Sequence, residues 1–195
     1  MNEAHLFALG MTLAWLAGVR AYLTVFGLGL AGVLGWIELP GTLALCQSPW
    51  VLGTAGVLAA VEFSADKIPG VDSGWDLLQT LLRIPAGAFL ASAALAGPDG
   101  DMSWGWAATG AGAAALSHGL KAGTRALINT SPEPLSNWTA SLGEDAVAVG
   151  ALGLAFAHPW LALALLLGCS LAALAAVVWV LRRVFRRRPQ GVPAA

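Results

Sequence analysis

Apolar residues run almost unbroken from residue 4 to residue 38, interrupted once by Arg20 in WLAGVRAY. As a single helix this run would be about 52 Å long, well beyond a hydrocarbon core of about 30 Å. The pattern therefore predicts two segments that turn or break at Ala17-Gly18-Val19-Arg20, where glycine lowers helix propensity and permits close backbone approach. Further apolar stretches follow, each punctuated. Pro40 and Pro49 bound a loop, and Pro49 suits the first turn of a helix over 49–65. DKIPGVDSG is a turn region, after which Ser73-Gly74-Trp75-Asp76 reads as a capping box opening a helix over 75–97. Gly97-Pro98-Asp99-Gly100-Asp101 closes it. The next helix, 103–128, is rich in small residues (GWAATGAGAAALSHG), which suits tight helix packing in lipid. NTSPEPLSNW, residues 129–138, predicts a loop, and Ser141-Leu142-Gly143-Glu144 a second capping box opening a helix over 141–157. His158-Pro159 breaks that helix. The last span runs from Trp160 to Leu181 and stops at Arg182, Arg183, Arg186, Arg187 and Arg188.

Composition sharpens this into a class. The 195 residues are 57% hydrophobic and only 11% charged, with a mean hydropathy of +0.73. A soluble domain carries about 25% charged residues, so the chain reads as an integral, polytopic membrane protein whose partner is the lipid bilayer. The N-terminus has Glu3 and His5 in place of the positive region of a signal peptide and is expected to be retained as the first membrane segment. Cys46 and Cys169 have no CxxC spacing and read as two small apolar residues. No metalloprotease, nucleophile-elbow, phosphate-loop or dinucleotide fingerprint occurs. Nothing points to an enzyme, a cofactor, a metal or a nucleic acid.

Two short matches suggest an internal repeat. Ala17-Gly18-Val19-Arg20-Ala21 pairs with Ala122-Gly123-Thr124-Arg125-Ala126, and Ser48-Pro49-Trp50 with His158-Pro159-Trp160, in the same order. The domain reading is a helix bundle over 1–181, with repeats 1–66 and 103–181 around the linker helix 75–97, followed by a basic tail, 182–195. The positive-inside rule places that tail in the cytoplasm. Alternating backwards brings every Lys and Arg to or near the cytoplasmic side, provided the first run is a hairpin, and leaves Glu38, Asp99 and Asp101 outside. This favours seven segments with an external N-terminus; six, with 4–38 as one tilted or kinked span, stays open. The expected site is a bacterial cytoplasmic membrane. Trp36, Trp50, Trp104, Trp106 and Trp160 fall near the outer helix ends, as an aromatic belt does.

The charges then stand out. Val61–Gly87 holds Glu62, Asp66, Lys67, Asp72, Asp76 and Arg83 between long apolar runs, and ionisable groups at the edge of hydrocarbon must be paired, hydrated or in use. Under the seven-segment reading, Arg20, Glu62, Asp66, Lys67, Asp76, Arg83, Lys121, Arg125, Glu144 and Asp145 gather in the cytoplasmic half, acids and bases nearly balanced, so that several buried ion pairs are expected. The candidate substrate-binding set is Arg20, Glu62, Asp66, Lys67, Asp72, Arg83, Lys121, Arg125, Glu144 and Asp145. Asp76 and Glu144 also fit helix caps. His118 and Lys121 lie one turn apart, and there hydrogen-bonded packing competes with a ligand role.

AGVRAYLTVFGLGLAG, SPWVL, VEFSADKIPGVDSGWD, RIPAGA and KAGTRALINTSPEPLSNWTASLGED together resemble domain-of-unknown-function family 4126, small integral membrane proteins. The resemblance covers nearly the whole chain and implies a bundle of membrane helices with a polar face; it supplies no activity. One departure is Thr24, where proline is expected. The reading is thus an all-α polytopic transmembrane helix bundle of six to seven segments. Its leading function is a small transporter or channel with a cytoplasm-facing charged cavity for an ion or a small anionic solute. Arg20, Arg83 and Arg125 would meet the anion, and Glu62 and Asp66 would balance charge or carry protons. The alternative is a non-catalytic membrane scaffold or assembly factor whose charges serve helix packing. The small-residue helix permits a homo-oligomer.

Overall fold

The computed structural model describes residues 2–68, 71–97, 99–128 and 134–186. The described residues form helices and no strands: α1 (Glu3–Val33), a short 3-10 helix (Gly41–Gln47), α2 (Pro49–Ala65), α3 (Val71–Ala94), α4 (Trp104–Ile128), α5 (Pro134–Ala157) and α6 (Pro159–Arg186). Segments in α1, α3, α5 and α6 are long and apolar enough to cross a membrane. The 3-10 helix and α2, bent by 64°, form a fifth such unit. The all-α membrane bundle read from the sequence is what the chain forms.

The break expected near Arg20 is present: Arg20 leaves helical geometry at φ −143°, ψ 77°. It is a reversal of direction. In the first arm, residues 3–19, Gly10 packs on Ala91 and Ala94 and Gly18 on Ala114 and Ser117. In the second arm, residues 21–33, Gly29 meets the Cys46 backbone and Gly32 meets Leu39 and Gln47. Pro40 and Gly41 share a cavity wall with Glu3 and Phe7. A straight helix of this length would hold its ends about 46 Å apart, and the seven residues from Leu34 to Pro40 span at most about 25 Å. The two arms therefore fold back on each other.

A reversal in apolar surroundings frees backbone carbonyls, and each must find a donor. Lys121 Nζ donates to the Val19 carbonyl at 3.3 Å, and Thr24 Oγ1 donates to the Arg20 carbonyl at 2.7 Å. The Thr24 bond is the same i to i−4 contact that Thr12 and Ser170 make in unbroken helix.

The reversal sorts the bundle into two ends. Phe7 meets Trp106 edge-on, with ring centroids 5.5 Å apart, and lies 6.0 Å from Trp160. The starts of α1, α4 and α6 therefore share one end, to which the fully exposed Trp50 and Trp104 at the openings of α2 and α4 also belong. The charged residues gather at the other. The packing between them relies on small residues. A side chain at Gly87 would collide with Ala114 and the Gly110 backbone, and one at Gly110 with Ala91 and the Gly87 backbone. Glycine at both positions lets α3 and α4 touch backbone to backbone. Ala8, Leu9, Leu13, Ala14, Leu16 and Ala17 of the first arm are fully buried in the centre. On α6, Leu161, Leu165 and Leu171 face outward, the expected surface toward lipid.

Helix starts differ from expectation at two places. α3 begins at Val71 and α5 at Pro134, so neither Ser73–Asp76 nor Ser141–Glu144 is a capping box. Both acids lie inside their helices, where ion pairs supersede the capping role. The loop expected over 129–138 gives way to helix from Pro134; residues 129–133 lie outside the described residues, as do Pro69, Gly70 and the tail from Arg187 onward.

Candidate functional site

Each helix delivers its polar residues as a stripe. Glu62 and Asp66 are one turn apart at the end of α2. Asp76, Gln79, Thr80 and Arg83 follow an i, i+3, i+4, i+7 pattern on α3, and His118, Lys121 and Arg125 an i, i+3, i+7 pattern on α4. Ser141, Glu144 and Asp145 add a stripe on α5, and Arg20 enters from the reversal of α1. These stripes converge in one layer.

Arg83, fully buried, is one centre of that layer. Its Nη2 donates to Glu62 Oε1 at 2.6 Å, Nη1 to Asp76 Oδ1 at 2.8 Å and Nε to Gln79 Oε1 at 3.0 Å. His118 Nδ1 lies 3.1 Å from Nη1. His118 Nε2 lies 2.7 Å from Thr80 Oγ1, whose hydroxyl donates to the Asp76 carbonyl at 3.1 Å. His118 is thus a hydrogen-bonded member of the network, between α3 and α4.

Asp66, at the C-terminal cap of α2, is the other centre. Arg20 binds its carboxylate directly, Lys121 Nζ lies at 2.8 Å, and Arg125 Nη1 donates to its backbone carbonyl at 3.1 Å. Cations at a helix C-terminus also face the negative end of the helix dipole. Arg125 grips Glu144 with two bonds, Nε to Oε1 at 2.9 Å and Nη2 to Oε2 at 3.0 Å. Arg20 reaches Asp145 at 2.8 Å, and Lys121 joins the two centres through Asp76 at 3.2 Å. Lys67 lies 3.7 Å from Asp145 and donates to the Phe63 carbonyl at 2.9 Å. Burial holds its ammonium below the ordinary lysine range, against the opposing pull of Asp145.

Among the described residues the layer contains five cations (Arg20, Lys67, Arg83, Lys121, Arg125) and five carboxylates (Glu62, Asp66, Asp76, Glu144, Asp145). Balance matters here, because an uncompensated ion in a low-dielectric interior costs several kcal/mol, of the order of 3–5. Nine of the ten residues in the expected set meet in the layer. The side chain of the tenth, Asp72, lies outside the described residues. Asp76, expected among the charges of the cytoplasmic half but not in the binding set, is a member of the layer. Gln79, Thr80, His118 and Ser141 were missing as contributors to the network; the period of the α3 stripe was the signal for the first two.

The pairing is not complete. Arg20 Nε, Glu62 Oε2, Asp66 Oδ1 and Asp76 Oδ2 are buried without a hydrogen-bond partner, and Asp145 Oδ2 faces only the Lys67 ammonium at 3.7 Å. Arg20, Glu62 and Asp145 line one cavity of about 180 Å³ between the second arm of α1, α2 and α5. A second cavity of about 240 Å³ reaches the layer from the opposite flank, past Trp15, Ser170, Lys121 and Glu144.

A multi-helix bundle with an apolar girdle and a charge-balanced ionic layer inside one end belongs to the class of polytopic helical membrane proteins. More particularly, residues 7–183 match the family model described as Domain of unknown function (DUF4126), and the chain belongs to that family. No curated protein and no solved structure matches the chain.

Proposed function

We propose that the protein is a small, non-enzymatic transporter or channel whose ionic layer takes up an ion or a small charged solute. The observation that carries this reading is the cavity, apolar over most of its wall, that reaches the ionic layer at Arg20, Glu62 and Asp145, where a membrane helix reverses direction. Reversals and broken helices at membrane depth are tolerated where they line a cavity, and transport sites are built there. The ion pairs then serve as a rearrangeable element: a solute that replaces one partner of a pair frees the other. By the positive-inside rule the charged end and the C-terminus face the cytoplasm, with exposed Arg182 and Arg183 as anchors.

A second reading, a scaffold without substrate, has an observation in its favour. Arg20, Arg83 and Arg125, expected to meet an anion, are each engaged by carboxylates. Labelling separates the two readings. Single cysteines at Leu23 and Ala59, with Cys46 and Cys169 replaced, are expected to react with a polar, membrane-impermeant maleimide added from the cytoplasmic side. If both stay unreactive while a loop control labels, the layer is dry and the transport reading falls.

A further inference from the structure

α5 is held in two different ways. In its second half it packs: Ala148, Leu152 and Ala155 are buried, the last two in the apolar core. In the first half, residues 134–147, Leu135, Trp138, Leu142 and Val147 are exposed, and among the described side chains only Ser141 is fully buried. What ties this half to the bundle is polar. Ser141 Oγ accepts from Arg20 at 3.3 Å. Glu144 meets Arg125, Lys121 and Arg20, and Asp145 meets Arg20 and Lys67. The helix also has room to either side. The cavity of about 180 Å³ runs along Asp145 and Val149, and that of about 240 Å³ along Gly143, Glu144 and Val147. A side chain at Gly143 or Gly150 would meet nothing. The side chains of Glu144 and Asp145 are 16% and 18% exposed, and those of Glu62, Asp66 and Asp76 only 1%, 0% and 6%. Within the layer, the two α5 acids are therefore the ones that something outside the protein can reach.

From this we infer that Glu144 and Asp145 are built-in occupants of an anion site, and that a small dianion replaces them among Arg20, Lys67, Lys121 and Arg125 when the first half of α5 moves aside. Charge selects the ligand. The adjacent acids bring two negative charges, so a solute that takes their place keeps the layer neutral only if it brings two as well. One charge too few, or an added cation, leaves a buried ion without its counterion. Geometry agrees: guanidinium forks suit the paired oxygens of sulfate, hydrogen phosphate or a short dicarboxylate, and Arg20 Nε has no acceptor from the carboxylates present. The Arg83 centre, built from α2, α3 and α4, need not change, because neither α5 acid touches Arg83. The inference rests on the transport reading and names its substrate class; binding and movement are measured separately.

The test measures Tm of the purified full chain and of the Glu144→Gln/Asp145→Asn double variant. Sulfate, hydrogen phosphate and succinate are the probes, with chloride at equal ionic strength as the monovalent comparison. In chloride the double variant is expected to melt below wild type. At least one dianion should restore it saturably and bind it about tenfold or more tighter than wild type, because the protein's own carboxylates no longer compete. Dianions no better than chloride overturn the inference. An equal dianion response in both proteins overturns it too, since the arginine tail is common to both and such binding lies elsewhere. If the double variant cannot be recovered even in the dianions, the single variants Glu144→Gln and Asp145→Asn decide. Each must bind a dianion more tightly than wild type does, and singles that respond as wild type does sink the idea. Dianion binding as expected, without uptake of the same labelled dianion by wild type in proteoliposomes, would instead overturn the transport reading and leave the site standing.

Discussion

The two ends of this bundle are held together by opposite means. Toward the tryptophan end, α1, α3 and α4 approach until glycine and alanine backbones touch, through Gly10, Gly87, Gly110 and Ala114. Toward the charged end the helices are joined instead by arginine, lysine and carboxylate side chains. In lipid, apolar side chains gain little by leaving one hydrocarbon for another, so cohesion comes from close packing and polar contacts. The first end is rigid because nothing larger fits. The second is specific because each cation must have its partner, and it can be rearranged by anything that competes for one.

The sharpest way to break the comparison is at Arg83. Arg83→Met should leave Glu62 and Asp76 buried without their cation, a loss of about 3–5 kcal/mol. In detergent this should appear as a large fall in Tm, or as failure to recover folded protein. If Arg83→Met melts within a degree or two of wild type, the charged end is hydrated and its pairs are not what holds it. Next in size comes the packed end. Gly87→Leu places a side chain against Ala114 and the Gly110 backbone, and overpacking of this kind costs about 1–3 kcal/mol. Its Tm should fall less than that of Arg83→Met, and Gly74→Leu, whose site is open, should do little.

The fold was largely legible in the sequence, because length and hydropathy decide it. An apolar run too long for one span has to break, and the arginine beside Ala-Gly-Val marks where. The composition of the site was legible for the same reason, since a charge in an apolar chain has few places to go. The partners were harder to read. Ser-x-x-Asp and Ser-x-x-Glu are cap signatures wherever a helix starts nearby, and here the helices start earlier, at Val71 and Pro134, which turns Asp76 and Glu144 inward. The role of the arginines was harder still. Guanidinium groups attract anions in general, but whether solute or carboxylate occupies them depends on tertiary geometry. The near balance of acids and bases was legible in the sequence, but which acid meets which base becomes visible only when α1, α2, α3, α4 and α5 are brought together.

The next prediction sharpens the claim that the charged end is built from interdependent pairs. Arg125 and Glu144 share two bonds near 3 Å, while both also touch other members of the layer. Arg125→Met and Glu144→Gln should each destabilise, and the double variant should be less damaged than the sum. The coupling measured by the four-way cycle should lie at about 1–3 kcal/mol. Additive losses would mean that the two side chains act independently and that the layer is a set of local contacts.

The smallest effect belongs to the surface that neither end uses. Leu171 on α6 is two-thirds exposed, and in lipid its replacement by alanine trades one hydrocarbon contact for another without leaving a cavity in the bundle. Leu171→Ala should shift stability by no more than about 0.5 kcal/mol. Leu13→Ala, at a fully buried position of the first arm, removes a side chain of the same size and should cost about 2–5 kcal/mol. Equal losses at the two positions would mean that α6 is covered by another protein surface, since lipid fills the space left by a shortened side chain and a packed interface does not.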